Sequence, residues 1–268
     1  LARSAVDFPR HASLRLLIQP AQESVTQRLF WSVLAADLTM LSCQARDFPV
    51  ARKIYGQLTG LARAHPQEPR LRDAQALAAF YLVRGYVDAK ERDAARKIYD
   101  ELAALTFSHA NQPMLGRFLA RAAANLIRAY ADARKLSAAR KIYDQTATLA
   151  ADQPQNSALH LEYGKAAVGL VAYLIIASDY DAAREIYDQL AAFAADRSHE
   201  PELRKRVSKA AYALSSGYAE AGERAAAREI YDQLVALTLA YPLESALREN
   251  FARATVDLLN AYGDGGEL

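Results

Sequence analysis

Residues 51–55 read Ala-Arg-Lys-Ile-Tyr, and the same string returns at 95–99 and 139–143, then with Glu in place of Lys at 183–187 and 227–231. The closing tyrosines, Tyr55, Tyr99, Tyr143, Tyr187 and Tyr231, stand 44 residues apart each time, with no insertion or deletion. Self-similarity at a fixed period of this size marks an array of stacked units, none of which could bury its apolar face alone. Working outward from the string, further columns keep the same step. Ala51, Ala95, Ala139, Ala183 and Ala227 form one, and Ile54, Ile98, Ile142, Ile186 and Ile230 another. Upstream lie Leu38, Leu82, Leu126, Leu170, Leu214 and Leu258, with Ala35, Ala79, Ala123, Ala167 and Ala211 three places before the first five.

One unit shows what the repeat builds. Val207, Ala211, Leu214, Tyr218 and Ala221 recur at steps of three and four, the spacing of one helix face. Gly222 ends that run, and a second begins with Ala227, Ile230, Tyr231, Leu234 and Leu237. Each unit is therefore expected to be two antiparallel helices, A then B, joined by a short turn. The two alanine columns fall where helices would cross, because a methyl group lets backbones approach closely. Pro66, Pro154 and Pro242 share one column and Pro69, Pro113 and Pro201 another, both between helix B and the next helix A. A first-turn N–H has no intrahelical partner, so proline is tolerated there.

The register reads residues 1–268 as one all-α solenoid domain. It divides into a degenerate leading segment at 1–19, repeats at 20–64, 65–108, 109–152, 153–196 and 197–240, and the terminal helix of an incomplete repeat at 241–268. In the leading segment Asp7-Phe8-Pro9 echoes Asp47-Phe48-Pro49. Phe251, Leu258 and Leu259 keep the last helix apolar, which points to a longer array or to self-association through the end helices.

Composition narrows the function classes. Lys plus Arg is 33 and Asp plus Glu is 31, so no bulk charge draws the chain to nucleic acid or to an anionic membrane. The one cysteine, Cys43, excludes an internal disulfide and a cysteine-rich zinc site, and suits a cytoplasmic setting. The longest apolar run, near residues 166–177, is too short to span a bilayer and reads as a buried helix.

Catalytic chemistry finds little support. Of the five histidines, only His65 and His109 share a column, and none has metal-ligand spacing, so solvated loop positions are expected. Cys43 has no neighbouring histidine and reads as a small apolar residue of helix A, in the groove. Gly263-Asp264-Gly265-Gly266 lacks the strand and the Lys-Ser/Thr of a phosphate loop and reads as a turn. Asp179 and Asp181 suit a helix N-terminus. No enzyme activity, cofactor or metal is expected.

The unit resembles the tetratricopeptide repeat in an extended, 44-residue form. The small residue and leucine of helix A, its late aromatic, the turn glycine, and the alanine and aromatic of helix B fall on Ala211, Leu214, Tyr218, Gly222, Ala227 and Tyr231. The usual repeat of that family has about 34 residues. The middle of helix A is also bulkier than usual at Val83, Ile127 and Val171.

The resemblance implies a superhelix whose A helices line a concave groove, and it places partner contacts by column. One row is Arg121, Lys165, Lys209 and Arg253, preceded by the apolar Val33 and Leu77. A second holds Arg84 and Arg128, with Met40, Ala172, Ser216 and Asn260 as its other members. A third supplies apolar anchors at Phe80, Val168 and Tyr212. The expectation is a protein–protein interaction scaffold that takes a peptide or protein with acidic character. Its rivals are a sensor or regulatory segment of a larger multidomain protein and, more weakly, a nucleic-acid-binding helical repeat. On helix B, Arg96, Arg140, Arg184 and Arg228 precede Asp100, Asp144, Asp188 and Asp232 by four. These are structural pairs worth roughly a few tenths of a kcal/mol each.

Overall fold

The computed structural model describes residues 24–263, and within them the regular elements are eleven α-helices. In chain order they are α1 (Val25–Gln44), α2 (Phe48–Ala64), α3 (Pro69–Asp88), α4 (Arg92–Ser108), α5 (Pro113–Asp132), α6 (Leu136–Asp152), α7 (Ser157–Ile176), α8 (Tyr180–Ala195), α9 (Pro201–Glu220), α10 (Arg224–Ala240) and α11 (Ser245–Gly263). The chain is an all-α helical-repeat solenoid. The leading segment and residues 264–268 lie outside the described residues, and so do the expectations placed on them.

Odd-numbered helices form the A layer and pack directly on one another, α1 on α3, α3 on α5 and so on to α11. Even-numbered helices form the B layer, each resting on its own A helix and on the next. B helices make little backbone contact with one another, so the A layer is the tighter, inner side of the stack.

The alanine columns explain the close crossings. Ala51, Ala95, Ala139, Ala183 and Ala227 are wholly buried, as are Ala79, Ala123 and Ala167, with Ala211 nearly so. Tyr99, Tyr143 and Tyr187, from the string that set the register, are 0–2% exposed. Two seams demand still less side chain. A Cβ on Gly85 would lie 2.8 Å from Cys43 Cβ, and one on Gly217 would lie 2.7 Å from Ile175 Cγ2.

Each A–B turn closes with the same pair of backbone bonds. Glu91 N–H donates to Tyr86 O at 2.8 Å and Lys90 N–H to Val87 O at 2.9 Å, and the turns at Asp47, Lys135, Asp179 and Glu223 repeat the pattern. This cap needs one left-handed residue. Arg46, Lys90, Arg134, Ser178 and Gly222 take it, at φ 57° to 78°. Glycine, the expected turn residue, serves in one case; elsewhere the paired bonds hold a larger residue in that conformation. Pro69, Pro113 and Pro201 open α3, α5 and α9, as their columns implied. Asp179 caps α8, accepting Ala182 N–H at 3.3 Å, and Asp181 sits in its first turn.

A clasp joins successive A helices at their N-terminal ends. Arg28 pairs with Glu68, Arg72 Nε donates to Gln112 Oε1 at 2.9 Å, and Arg204 Nε donates to Glu244 Oε1 at 2.8 Å. Partners stand 40 residues apart, one unit less one helical turn. His160 fills the same column. It is wholly buried, with Nδ1 2.7 Å from Glu200 Oε1 and Nε2 2.9 Å from Gln153 O. The expectation of solvated histidines therefore fails at His160, whose place is fixed by a carboxylate far along the chain. His65 and His109 do sit at the ends of α2 and α4. Gly116 leaves one clasp without a side chain; there Asn156 Nδ2 donates to Pro113 O at 3.0 Å.

Cys43 also departs from its expected place. It is buried in the α1–α3 seam against Gly85 and Phe48 rather than lining the groove. Burial pushes its thiol up to about 11, so it stays protonated and unreactive. The apolar run near residue 170 belongs to α7, which by length and composition alone could cross a membrane. In the fold it lies mid-stack, between α5 and α9, with half of its most apolar stretch buried.

Candidate partner-binding face

The A layer leaves one stripe of each odd helix open. On α9 it runs through Glu202, Lys205, Lys209, Tyr212, Ser216 and Glu220, at steps of three and four. The first predicted row lies on this stripe. Lys165, Lys209 and Arg253 are exposed, Arg121 is half-buried, and Val33 is 60% exposed. Arg84, Arg128 and Asn260 of the second row are exposed on the same side.

The third row is corrected. Phe80 is 3% exposed and packs in the α3–α5 seam, its ring 6.3 Å from Phe118. It cannot anchor a partner; instead it supports Arg121, whose guanidinium lies 4.4 Å above the ring. This column tilts toward the adjacent A helix, so a large ring folds into the seam. Val168 and Tyr212 remain half-buried at the groove surface.

The cationic row is unevenly compensated. Lys165 Nζ lies 2.9 Å from Glu162, and Arg253 is 2.6 Å from Glu249, each on its own helix. Arg84 reaches Asp88 at 3.9 Å. Sequence spacing held that signal, since Glu162 and Glu249 precede their partners by three and four residues. Lys209 has no carboxylate within salt-bridge distance among the described residues. Helix α5 stands out further: Arg117, Arg121 and Arg128 follow one another along its open stripe, and none has such a partner among the described residues either. Among the described residues, Arg128 Nη2 donates to Asn125 Oδ1 at 3.4 Å. Arg117 was missed in the sequence because it lies one turn before the inferred contact row.

Four arginines of the B layer are paired with carboxylates on their own helices. The expected pairs form at 2.8 Å (Arg96–Asp100), 2.7 Å (Arg140–Asp144), 3.0 Å (Arg184–Asp188) and 2.9 Å (Arg228–Asp232). No group of three or more His, Cys, Asp or Glu side chains suited to a metal occurs among the described residues.

Fold and surface together define the class: a helical-repeat solenoid with an open, locally cationic inner layer. No protein-family model matches the chain, and neither does any curated protein or solved structure.

Proposed function

We propose that the chain is an interaction scaffold of tetratricopeptide type, without catalysis, that binds an acidic peptide or protein segment along its A layer. The observation that carries this reading is the row of Arg117, Arg121 and Arg128 on α5, continued by Lys165 and Lys209. These are exposed or half-exposed cations, and all but Lys165 lack a salt-bridge partner among the described residues. Apart from Arg121, whose guanidinium covers the buried Phe80 ring, the core and clasps do not use them. Arginine forks match carboxylates two bonds at a time. Val168 and Tyr212 beside them offer apolar contact, and a rigid face keeps the ordering cost of binding on the ligand alone.

The test is a fluorescence-anisotropy titration with a labelled peptide rich in Glu and Leu, at low and high salt. The scaffold should bind it, and salt should weaken binding by screening. Arg121→Glu/Lys165→Glu/Lys209→Glu should lower affinity by at least about tenfold. The outer-layer control Lys53→Glu/Lys97→Glu/Lys141→Glu should not. Equal loss in both variants, or none in either, would sink the A-layer reading.

A further inference from the structure

The B layer is parted by clefts, each floored by the A helix between two B helices. Two of these clefts match residue for residue, 44 positions apart. Between α6 and α8, over α7, the space is filled from within. Tyr163 of α7 stacks on Tyr143 of α6 at 5.4 Å between ring centroids, with the two hydroxyls 2.7 Å apart. Phe193 of α8 meets the Tyr163 ring nearly edge-on at 4.9 Å, and the Arg197 guanidinium lies 3.8 Å above Phe193.

Between α8 and α10, over α9, the same backbone carries smaller groups. Val207 stands where Tyr163 stood, and Leu237 where Phe193 stood. A cavity of about 400 Å³ remains, open to solvent and walled by Ala191, Ala194, Val207, Leu237 and Tyr241. Tyr187, the counterpart of Tyr143, has no phenol facing it and donates to Gln233 Oε1 at 2.8 Å. At the mouth, the Arg204 guanidinium lies 4.0 Å over the Tyr241 ring.

We infer that the α8–α10 cleft is a binding site for a phenolic ring. The neighbouring cleft shows the chemistry that fills this shape: a phenolic ring packed on aromatic side chains, its hydroxyl against that of a buried tyrosine. The α8–α10 cleft keeps the buried Tyr187 and a polar group beside it, Gln233, between alanine and leucine walls, and lacks both the phenol of Tyr163 and the ring of Phe193. Its volume falls in the range of about 300–1,000 Å³ typical of small-ligand pockets. The Tyr241 ring, held by Arg204, offers a stacking surface at the entrance. The site opens on the layer opposite the proposed peptide face and does not rest on that reading.

A phenolic ring could arrive as a free small molecule or as a tyrosine side chain of a partner. The probes are p-cresol, which is the tyrosine side chain alone, toluene, and a short tyrosine-containing peptide, followed by protein-observed NMR. For a ligand this small, a dissociation constant of about 1 mM is expected for p-cresol. Toluene, without the hydroxyl, should bind about tenfold more weakly. Val207→Tyr supplies the ring from within and should abolish binding. Ala191→Leu, at a half-buried wall position, fills part of the cavity, should weaken binding and serves if the first variant does not fold. A peptide that binds at least about tenfold more tightly than p-cresol assigns the site to a partner's tyrosine; parity assigns it to a free phenol. No p-cresol binding, toluene binding as tight as p-cresol, or binding unaffected by either substitution overturns the proposal.

Discussion

Helices α2–α3–α4 and α8–α9–α10 are the same three-helix junction met twice, three repeats apart. Their framework is unchanged: Ala51 and Ala183, Tyr55 and Tyr187, Leu71 and Leu203, Ala79 and Ala211, and Ile98 and Ile230 are buried in both. Arg72 and Arg204 make the same clasp. Around that frame the residues diverge. Gln75, Glu101 and His109 line a cleft of about 530 Å³ where Val207, Gln233 and Tyr241 line a smaller one of about 400 Å³. Gln75 bonds Thr59 at 3.2 Å, and burial pushes the nearby Tyr55 hydroxyl up to about 12. On the outer surface, Arg184 is stapled to Asp188 and to Glu229 of the next repeat, at 3.0 and 2.7 Å. Arg52 faces Gly56 and Lys97 at the matching positions. Packing columns thus set the shape, while cleft and surface columns vary freely over it.

The comparison can be sharpened at three positions. The largest difference is expected at the seam glycines. Gly85→Ala drives a Cβ onto Cys43 Cβ, which is tied to its backbone, and should cost about 2 kcal/mol in urea unfolding. Gly217→Ala meets a methyl group of Ile175 that can rotate away. The gain in helix propensity, about 1 kcal/mol, should leave that variant near neutral. Equal losses would show that the two seams are equally stiff.

Next come the left-handed turn residues. Gly222→Ala should lose about 1 kcal/mol through backbone strain alone, since nothing lies within 4 Å of the added carbon. Lys90→Gly, at the matching turn, should gain about 0.5 kcal/mol, partly offset by a freer unfolded chain. A loss at both positions would place the control of these turns in the side chains.

The smallest effect concerns the outer staple. Lys97→Glu would set a carboxylate opposite Arg52, as Glu229 faces Arg184. Both groups are largely solvated, so the gain should not exceed about 0.5 kcal/mol and should vanish at high salt. Hydrogen bonding and charge from Arg184 hold Glu229 below the usual carboxylate range. Its staple is therefore present in full above that range and fades as pH falls through the lowered value. Lys97→Glu should import this acid sensitivity into the N-terminal half, read as thermal unfolding across acidic pH. An unchanged acid profile would mean that the introduced carboxylate and Arg52 do not meet.

The repeating frame was legible in the sequence because burial is periodic: each alanine or tyrosine in register meets the same neighbours in every unit. The row of Lys165, Lys209 and Arg253 came from the family resemblance carried along that register, and all three are exposed. What escaped was set by pairs far apart or by small tilts. His160 is buried because Glu200, 40 positions on, pairs with its ring nitrogen. Phe80 turned inward because its column leans toward the next helix, where Phe118 offers a ring. Arg46, Lys90, Arg134 and Ser178 carry no compositional sign of a left-handed turn, because the paired backbone bonds impose it. The open α5 arginines were only half visible: Arg121 and Arg128 were on the predicted rows, while the lack of nearby carboxylates emerged only with the fold.

The clasp series has a mechanical consequence. Three joints of the A layer are tied by an ion pair or by a histidine–carboxylate contact, and one by an arginine–amide bond. At Gly116 the tie is a neutral amide–carbonyl bond, about half as strong as a charge-assisted one. A rod whose ties are equal flexes evenly along its length; one with a softer joint bends there first. The α5–α7 joint carries the weakest clasp, and there the packing of the two helices does most of the holding. It lies next to Arg117, Arg121 and Arg128, so a partner taken there, as proposed above, would press on the joint whose clasp resists least.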